Sequence, residues 1–304
     1  MNTILSVKNL KKSYKEVKAV KGLSFEVKKG QLFAFLGPNG AGKSTTIDVL
    51  TTLLQADDGE VELNGYKLGE NDNDIKKSIG VVFQDSLLDP TLTVRENLEI
   101  RGALYSLSKD ELKEMISEAV HATGIEELLD RPYGKLSGGQ RRRSDIARGL
   151  IHRPEILFLD EPTTGLDPQT RKSVWETLVR IQDETEMTIF LTTHYMEEAA
   201  QADYISIIDN GEIVSEGSPS YLKEKYTSDV VTMNVNNNKE VEKILERNGY
   251  EFDLNKNKVT ISVPTTVDAL PLLEVTRDYI DSFEVKTGSM DDVFIAITGK
   301  EIRA

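Results

Sequence analysis

Residues 4–10 (ILSVKNL) and 22–28 (GLSFEVK) alternate apolar and polar side chains, the pattern of half-buried antiparallel strands. At 31–37 (QLFAFLG) the alternation gives way to an unbroken apolar run ending in glycine, as in a strand covered on both faces of a parallel sheet. A helix is expected to follow, from about Gly42 to Thr52. The runs 79–83 (IGVVF), 155–160 (EILFLD) and 188–193 (TIFLTT) repeat the buried-strand pattern, and 204–209 (YISIID) follows a helix expected at 195–202. Buried strands alternating with helices predict an α/β sheet with helices on both faces.

Between Leu88 and Arg148 the spacing is helical only. TVRENLEIRGALY and KDELKEMISEAVHATG both carry it, the second opening after Ser108 as N-cap, so this stretch reads as a helical insert within the α/β domain. Past residue 225 the composition turns rich in Asn and Lys. A second unit, 226–304, is predicted there in the order strand 230–235, helix 238–248, strands 250–254 and 258–263, helix 266–279 and strand 282–287. That βαββαβ order predicts a ferredoxin-like fold.

Composition narrows the chemistry. The 304 residues hold no cysteine, which excludes disulfides, thiol nucleophiles and Cys-type zinc sites, and only three histidines, which disfavours a dedicated metal cage. The net charge is −14, from 37 basic and 51 acidic residues. Such acidity argues against nucleic acid or anionic lipid as a direct partner. No apolar run approaches a membrane span, and the N-terminus has no apolar core of the kind that precedes a cleavage site. A cytoplasmic protein is therefore expected, reaching a membrane only through a partner.

Three motifs carry the chemistry. Gly37-x-x-x-x-Gly42-Lys43-Ser44 lies between a predicted strand and a predicted helix and fits a phosphate loop. Its glycines let backbone N–H groups turn in around phosphates, Lys43 can reach the β and γ oxygens, and the Ser44 hydroxyl can join a Mg²⁺ shell. EILFLDEP places Asp160 and Glu161 at the end of a buried strand, where Asp160 can hold Mg²⁺ and Glu161 can orient or deprotonate a water attacking the γ-phosphate. LSGGQRRR places Ser137 as N-cap ahead of two glycines, a second phosphate-binding helix start. One nucleotide needs two such cradles only if they close on it from opposite sides.

With these motifs the chain resembles the ATP-binding subunits of ABC (ATP-binding cassette) transporters over residues 3–225. Gly37, Pro38, Asn39, Gly40, Ala41, Gly42, Lys43, Ser44 and Thr45 are similar to the Walker A motif, and ILFLDEP to Walker B. Leu136, Ser137, Gly138, Gly139 and Gln140 match the family signature without departure. Gln84 resembles the Q-loop glutamine, Asp167 in TGLDP the D-loop, His194 the switch histidine, and Tyr14 falls where the family stacks an aromatic on adenine. The resemblance implies ATP and Mg²⁺ as ligands, the metal held by Ser44, Gln84 and Asp160. It also implies a head-to-tail homodimer in which each ATP lies between the Lys43 loop of one copy and the Ser137–Gln140 loop of the other, with Asp167 lining the interface. His194 would hold the γ-phosphate and the attacking water. A polytopic membrane permease would dock on the insert near 85–105, placing the protein peripherally on the inner face of the cell membrane.

The segment 87–108 and the tail GSMDDVFIAITGKE resemble the daunorubicin- and bacitracin-resistance exporters, which points to export. The competing class is an ABC ATPase acting on ribosomes or DNA; such chains usually carry two cassettes or a long coiled coil, and neither is present. An inactive regulatory cassette is disfavoured by Lys43, Asp160, Glu161 and His194. Arg141–Arg143 read as helix-surface charges, the Arg95/Glu99 and Lys109/Lys113 pairs as a solvated helix face, and Trp175 as core.

Overall fold

A computed structural model describes residues 2–105 and 108–299. The chain divides into two compact units, Met1–Ser218 and Pro219–Ala304.

In the first unit the buried apolar runs become a six-stranded sheet. Its order is Glu212–Gly217, Tyr204–Asp209, Leu32–Leu36, Thr188–Thr193, Ile156–Asp160 and Ile79–Val82. The last five strands run parallel, and Glu212–Gly217 pairs antiparallel at the edge. Every residue of Leu32–Leu36, Ile156–Asp160 and Thr188–Thr193 is buried, as continuous apolar patterning requires when both faces are covered.

A second sheet of four antiparallel strands is ordered Val17–Lys28, Thr3–Tyr14, Asp58–Leu63, Tyr66–Lys67. Its alternating residues, Val20, Leu23, Phe25 and Val27, point into the core. The two sheets meet through aromatic rings: Phe25 stacks on Phe33 at 5.6 Å, and Phe190 lies 5.1 Å from Phe33 and 5.3 Å from Phe158. The hairpin 58–67 and the helix Asp72–Ser78 were not assigned from sequence. Their polar alternation (DGEVELNGYK) hides a strand that is only half covered, although Asn64 and Gly65, both at positive φ, make the turn expected of Asn-Gly.

The expected insert is helical. Thr93 and Glu96 form a reciprocal capping box at the start of Val94–Gly102, Ser108 and Glu111 another at Lys109–Thr123, and Ser137 and Gln140 a third at Gly138–Leu150. The first helix gives way to a 3-10 turn at Ala103–Tyr105, earlier than the periodicity suggests.

The second unit orders its strands Asp253–Asn255, Lys258–Val263, Asp229–Val235, Ile280–Lys286, all antiparallel. With helices Asn238–Arg247 and Ala269–Thr276 this is the expected βαββαβ topology. Val231, Met233, Val241, Leu245, Ile261 and Leu272 form a core separate from that of the first unit. Helix Pro219–Tyr226, placed with the first unit by its sequence, belongs here, because it packs against the additional helix Met290–Thr298.

Phe190 touches Phe25, Phe33, Phe35 and Phe158 and is fully buried. Phe190→Ala is expected to lower the unfolding free energy of this unit by about 3–5 kcal/mol, read from denaturant midpoints, because the cavity joins two sheets.

Candidate functional site

The parallel strands deliver three loops to one edge. Leu32–Leu36 lies beside Thr188–Thr193, which lies beside Ile156–Asp160, so the segments following Leu36, Asp160 and Thr193 emerge together at the carboxyl ends. Gly37 N–H donates to Thr193 O at 3.2 Å, fastening the first loop to the third. Gly42 has φ 106°, and a Cβ there would lie 2.5 Å from Ala19 O, so only glycine fits the turn into helix Lys43–Leu50. That helix has no side-chain cap, whereas those opening after Thr93, Ser108, Ser137 and Asp167 each have one. Its first N–H groups are open to an anion, on the positive end of the helix dipole.

Lys43 is buried, at 4% exposure. Its ammonium donates to Gly37 O at 2.9 Å and Pro38 O at 3.2 Å, and pairs with Glu161 Oε1 at 3.1 Å. Glu161 sits in left-handed backbone, φ 43°, immediately beyond its strand, a strained conformation typical of functional turns. Its backbone N–H donates to Thr192 Oγ1 at 3.0 Å. Its Oε2 accepts from Thr164 Oγ1 at 3.0 Å and lies 3.3 Å from His194 Nδ1. The His194 ring and the Lys43 ammonium hold the Glu161 carboxyl at about 2, overcoming the opposite effect of burial.

Asp160 accepts from Thr192 Oγ1 at 2.5 Å and from Ser44 Oγ at 3.4 Å. Asp48, one helical turn after Ser44, has its carboxyl pushed up by burial and by the charge on Asp160. Negative charge thus accumulates beside an exposed hydroxyl, which suits a hard divalent cation. Among the described residues no group of three His, Cys, Asp or Glu side chains could hold a metal alone, so phosphate and water oxygens would have to complete a Mg²⁺ shell at Ser44 and Asp160.

The other expected residues stand apart from this cluster. Among the described residues no hydrogen bond or ion pair joins Tyr14, Gln84, Asp167 or Ser137–Gln140 to Lys43, Ser44, Asp160, Glu161 or His194. Tyr14 is exposed at a strand end, opposite exposed Val17. Ser137 accepts from Gln140 N–H at 3.4 Å, and its own N–H donates to Gln140 Oε1 at 3.1 Å. Gly138 and Gly139 pack so closely that added Cβ atoms would meet Leu166 at 2.9 Å and Thr170 at 2.4 Å. Asp167 N-caps the helix Pro168–Thr185, accepting from Thr170 N–H at 3.1 Å.

Arg142 overturns the reading of Arg141–Arg143 as helix-surface charges. It is 6% exposed, and its guanidinium donates to Pro162 O at 2.6 Å, Phe83 O at 2.5 Å and Asp160 O at 3.0 Å. Three residues on, Asp145 accepts from Ser86 Oγ at 2.6 Å and Tyr133 OH at 3.1 Å, and Arg148 donates to Val81 O. Burial pushes the Asp145 carboxyl up and the Arg142 guanidinium down, each opposed by the other's charge. The signature helix therefore grips both sides of exposed Gln84. A helical face carrying Arg142, Asp145 and Arg148 at spacing three, beside Ile146 and Leu150, was the signal for a buried polar row. Trp175 is buried as expected.

An uncapped helix start holding a buried lysine, beside an acidic strand end and a histidine, defines a P-loop nucleotide hydrolase. The ABC transporter family model matches residues 20–164, and that of the C-terminal domain of DrrA1-3-like ATP-binding proteins matches 217–298. The linearmycin resistance ATP-binding protein LnrL of Bacillus subtilis (strain 168) is 35% identical, over 99% of this chain and 100% of that protein. The daunorubicin/doxorubicin resistance ATP-binding protein DrrA of Streptomyces peucetius is 36% identical, over 97% and 92%. CbiO1 of Clostridium perfringens, part of the ABC transporter complex cbiONQ, superposes with TM-score 0.69 at 29% identity, covering 81% of this chain and 96% of that one. The cassette MJ0796, solved as a dimer in a post-hydrolysis state with ADP and Pi, gives 0.63 at 29% identity, covering 71% and 98%. The chain belongs to the ATP-hydrolysing, ATP-binding proteins of ABC transporters.

The Glu161 pKa, about 2 when folded against an ordinary 4.5, sets a pH test. A carboxyl lowered by folding stabilises the fold above its unfolded value and loses that contribution as pH falls through its folded value. Without nucleotide, the stability gap between wild type and Glu161→Gln should be widest near neutrality and shrink between pH 4.5 and 2. Urea midpoints measured at several pH values check this; a gap independent of pH would contradict the ion pair.

Proposed function

We propose that this chain is the ATP-hydrolysing subunit of an exporter that moves its cargo through separate membrane subunits. The observation that carries the reading is the run of contacts Lys43–Glu161–His194, with Asp160 and Ser44 alongside. A γ-phosphate entering the loop competes with Glu161 for the Lys43 ammonium. Glu161, ionised at neutral pH and released from Lys43, then orients a water on the γ-phosphate and takes its proton, while His194 holds the phosphate and the water. Ser44 and Asp160, which lie together, would hold Mg²⁺, with Gln84 reaching in as a further ligand, and the ion would supply neutralisation of charge on the phosphates. Gly37–Thr45 enclose the phosphate chain, and the Tyr14 ring receives the adenine.

The second cradle at Ser137–Gln140 serves the ATP of a second copy, head to tail, with Asp167 at the interface. Support comes from the exposure of Ser137 and Gly138 and from the dimeric state in which the related cassette MJ0796 was solved. ATP closes the pair and hydrolysis reopens it, a population shift driven by tighter binding to the closed state.

Export, and cargo of the drug or Nod-factor type, are suggested by the relatives' names, which include Nod factor export ATP-binding protein I of Ralstonia nicotianae, 37% identical over 99% of this chain and 95% of that protein. Among the described residues no helix is long and apolar enough to cross a membrane, so the reading requires a partner that does, with this chain peripheral on its cytoplasmic side. Leu87, Ile100 and Leu104 are each exposed on the helical insert and offer apolar anchors that a short permease helix would cover.

Lys43→Ala should abolish ATP binding in equilibrium titration. Glu161→Gln should still bind ATP, lose turnover by about 100-fold or more, and elute as an ATP-dependent dimer. Wild-type turnover in Glu161→Gln would refute the assigned water-activating role.

A further inference from the structure

His194 immediately follows the strand Thr188–Thr193; its Nδ1 lies 3.3 Å from Glu161 Oε2, and its ring lies against the Tyr195 ring at 4.1 Å. A residue the mechanism above does not use also holds its segment. Glu198, in the short helix Met196–Ala199, is 4% exposed, and among the described residues no cation pairs with it. Its Oε1 accepts from Thr163 Oγ1 and its Oε2 from Thr193 Oγ1, the latter at 2.7 Å. Both threonines are buried. Burying a carboxylate without a counter-ion is costly, and at this position an amide or an aliphatic side chain would fill the space at less cost.

The two hydroxyls lie on the loop that carries Glu161 and at the end of the strand that leads into His194. Thr163 lies two residues beyond Glu161 and beside Thr164, whose hydroxyl donates to Glu161 Oε2. Thr193 immediately precedes His194; its hydroxyl also accepts from Tyr195 N–H at 2.9 Å, so the backbone is fixed on both sides of the histidine. Thr193 O in turn accepts from Gly37 N–H, at the first residue of the phosphate loop. One carboxylate thereby ties the loop after Asp160 to the loop after Thr193.

We propose that Glu198 is a positioning residue for hydrolysis. It straps the Thr163 loop to the strand end at Thr193 and so fixes the separation of Glu161 and His194 on which the placement of the attacking water depends. A histidine displaced by an ångström would still tolerate bound ATP but would meet the γ-phosphate and the water poorly, so the loss falls on kcat and not on KM. The inference rests on the roles given above to Glu161 and His194.

The test uses the full-length protein with Glu198→Gln, which keeps shape but replaces one acceptor oxygen with a donor. Expected is a fall in kcat of about 10- to 100-fold with the KM for ATP changed by less than about twofold. Thr193→Val, which removes one donor without touching the carboxylate, should give a smaller fall of the same kind and serves should Glu198→Gln fail to fold. Combining Glu198→Gln with His194→Ala should lower single-turnover rates no further than His194→Ala alone, because the strap acts through the histidine. Wild-type kcat in both strap variants, or equal losses in the presence and absence of His194, would overturn the proposal. A wild-type rate in His194→Ala alone would refute the role of the histidine itself and with it the strap.

Discussion

The structure of the site depends on one buried ammonium. Lys43 is almost wholly removed from water, and a cation so placed is tolerated only where its donors are satisfied and its charge is opposed. Two carbonyls of its own loop supply the first requirement and Glu161 the second. The need for both explains several otherwise separate features. The chain must turn tightly at Gly42, the strand Ile156–Asp160 must end beside the loop, and Glu161 must accept left-handed backbone to face back toward the lysine. A phosphate could replace the carboxylate as the opposing charge, and Glu161 would then be free for the role proposed for it.

Strand order brings these pieces together. Because Leu32–Leu36, Thr188–Thr193 and Ile156–Asp160 are neighbours, three loops distant in sequence open at one edge, and the threonines of the middle strand bind both sides. Thr192 holds Asp160 and the Glu161 backbone; Thr193 holds Glu198 and, through its carbonyl, Gly37. The aromatic stack beneath, centred on Phe190 of the same strand, keeps that strand in place. The signature helix reaches the same strand ends differently, through Arg142 on three carbonyls, so the loop bearing Gln84 is clamped to the helix that begins with Ser137–Gln140.

Much of this was legible in the sequence because the physical requirements are local. Continuous apolar runs mark strands covered on both faces, Ser108 and Ser137 mark helix starts, and the alternation after residue 226 gives βαββαβ. The phosphate loop and the acidic strand end are equally local. What escaped was set by burial or by pairing across the chain. Three consecutive arginines look like a solvated surface, and only the packing against Phe83 and Pro162 shows that the middle one is interior. Glu198 looks like one of two charges opening a short helix. The 58–67 hairpin is too polar to stand out, although its Asn-Gly turn was visible. Asp167, expected from the resemblance to line a dimer interface, also N-caps its own helix, a role the following proline announces.

The central claim is that ATP hydrolysis here drives a separate membrane protein. The most direct measurement is affinity purification of tagged Glu161→Gln from gently solubilised membranes of the cells that make it, with ATP present, followed by mass spectrometry. The account predicts a polytopic membrane protein recovered with the chain. Recovery of ribosomal or DNA-bound proteins with no membrane partner would contradict it.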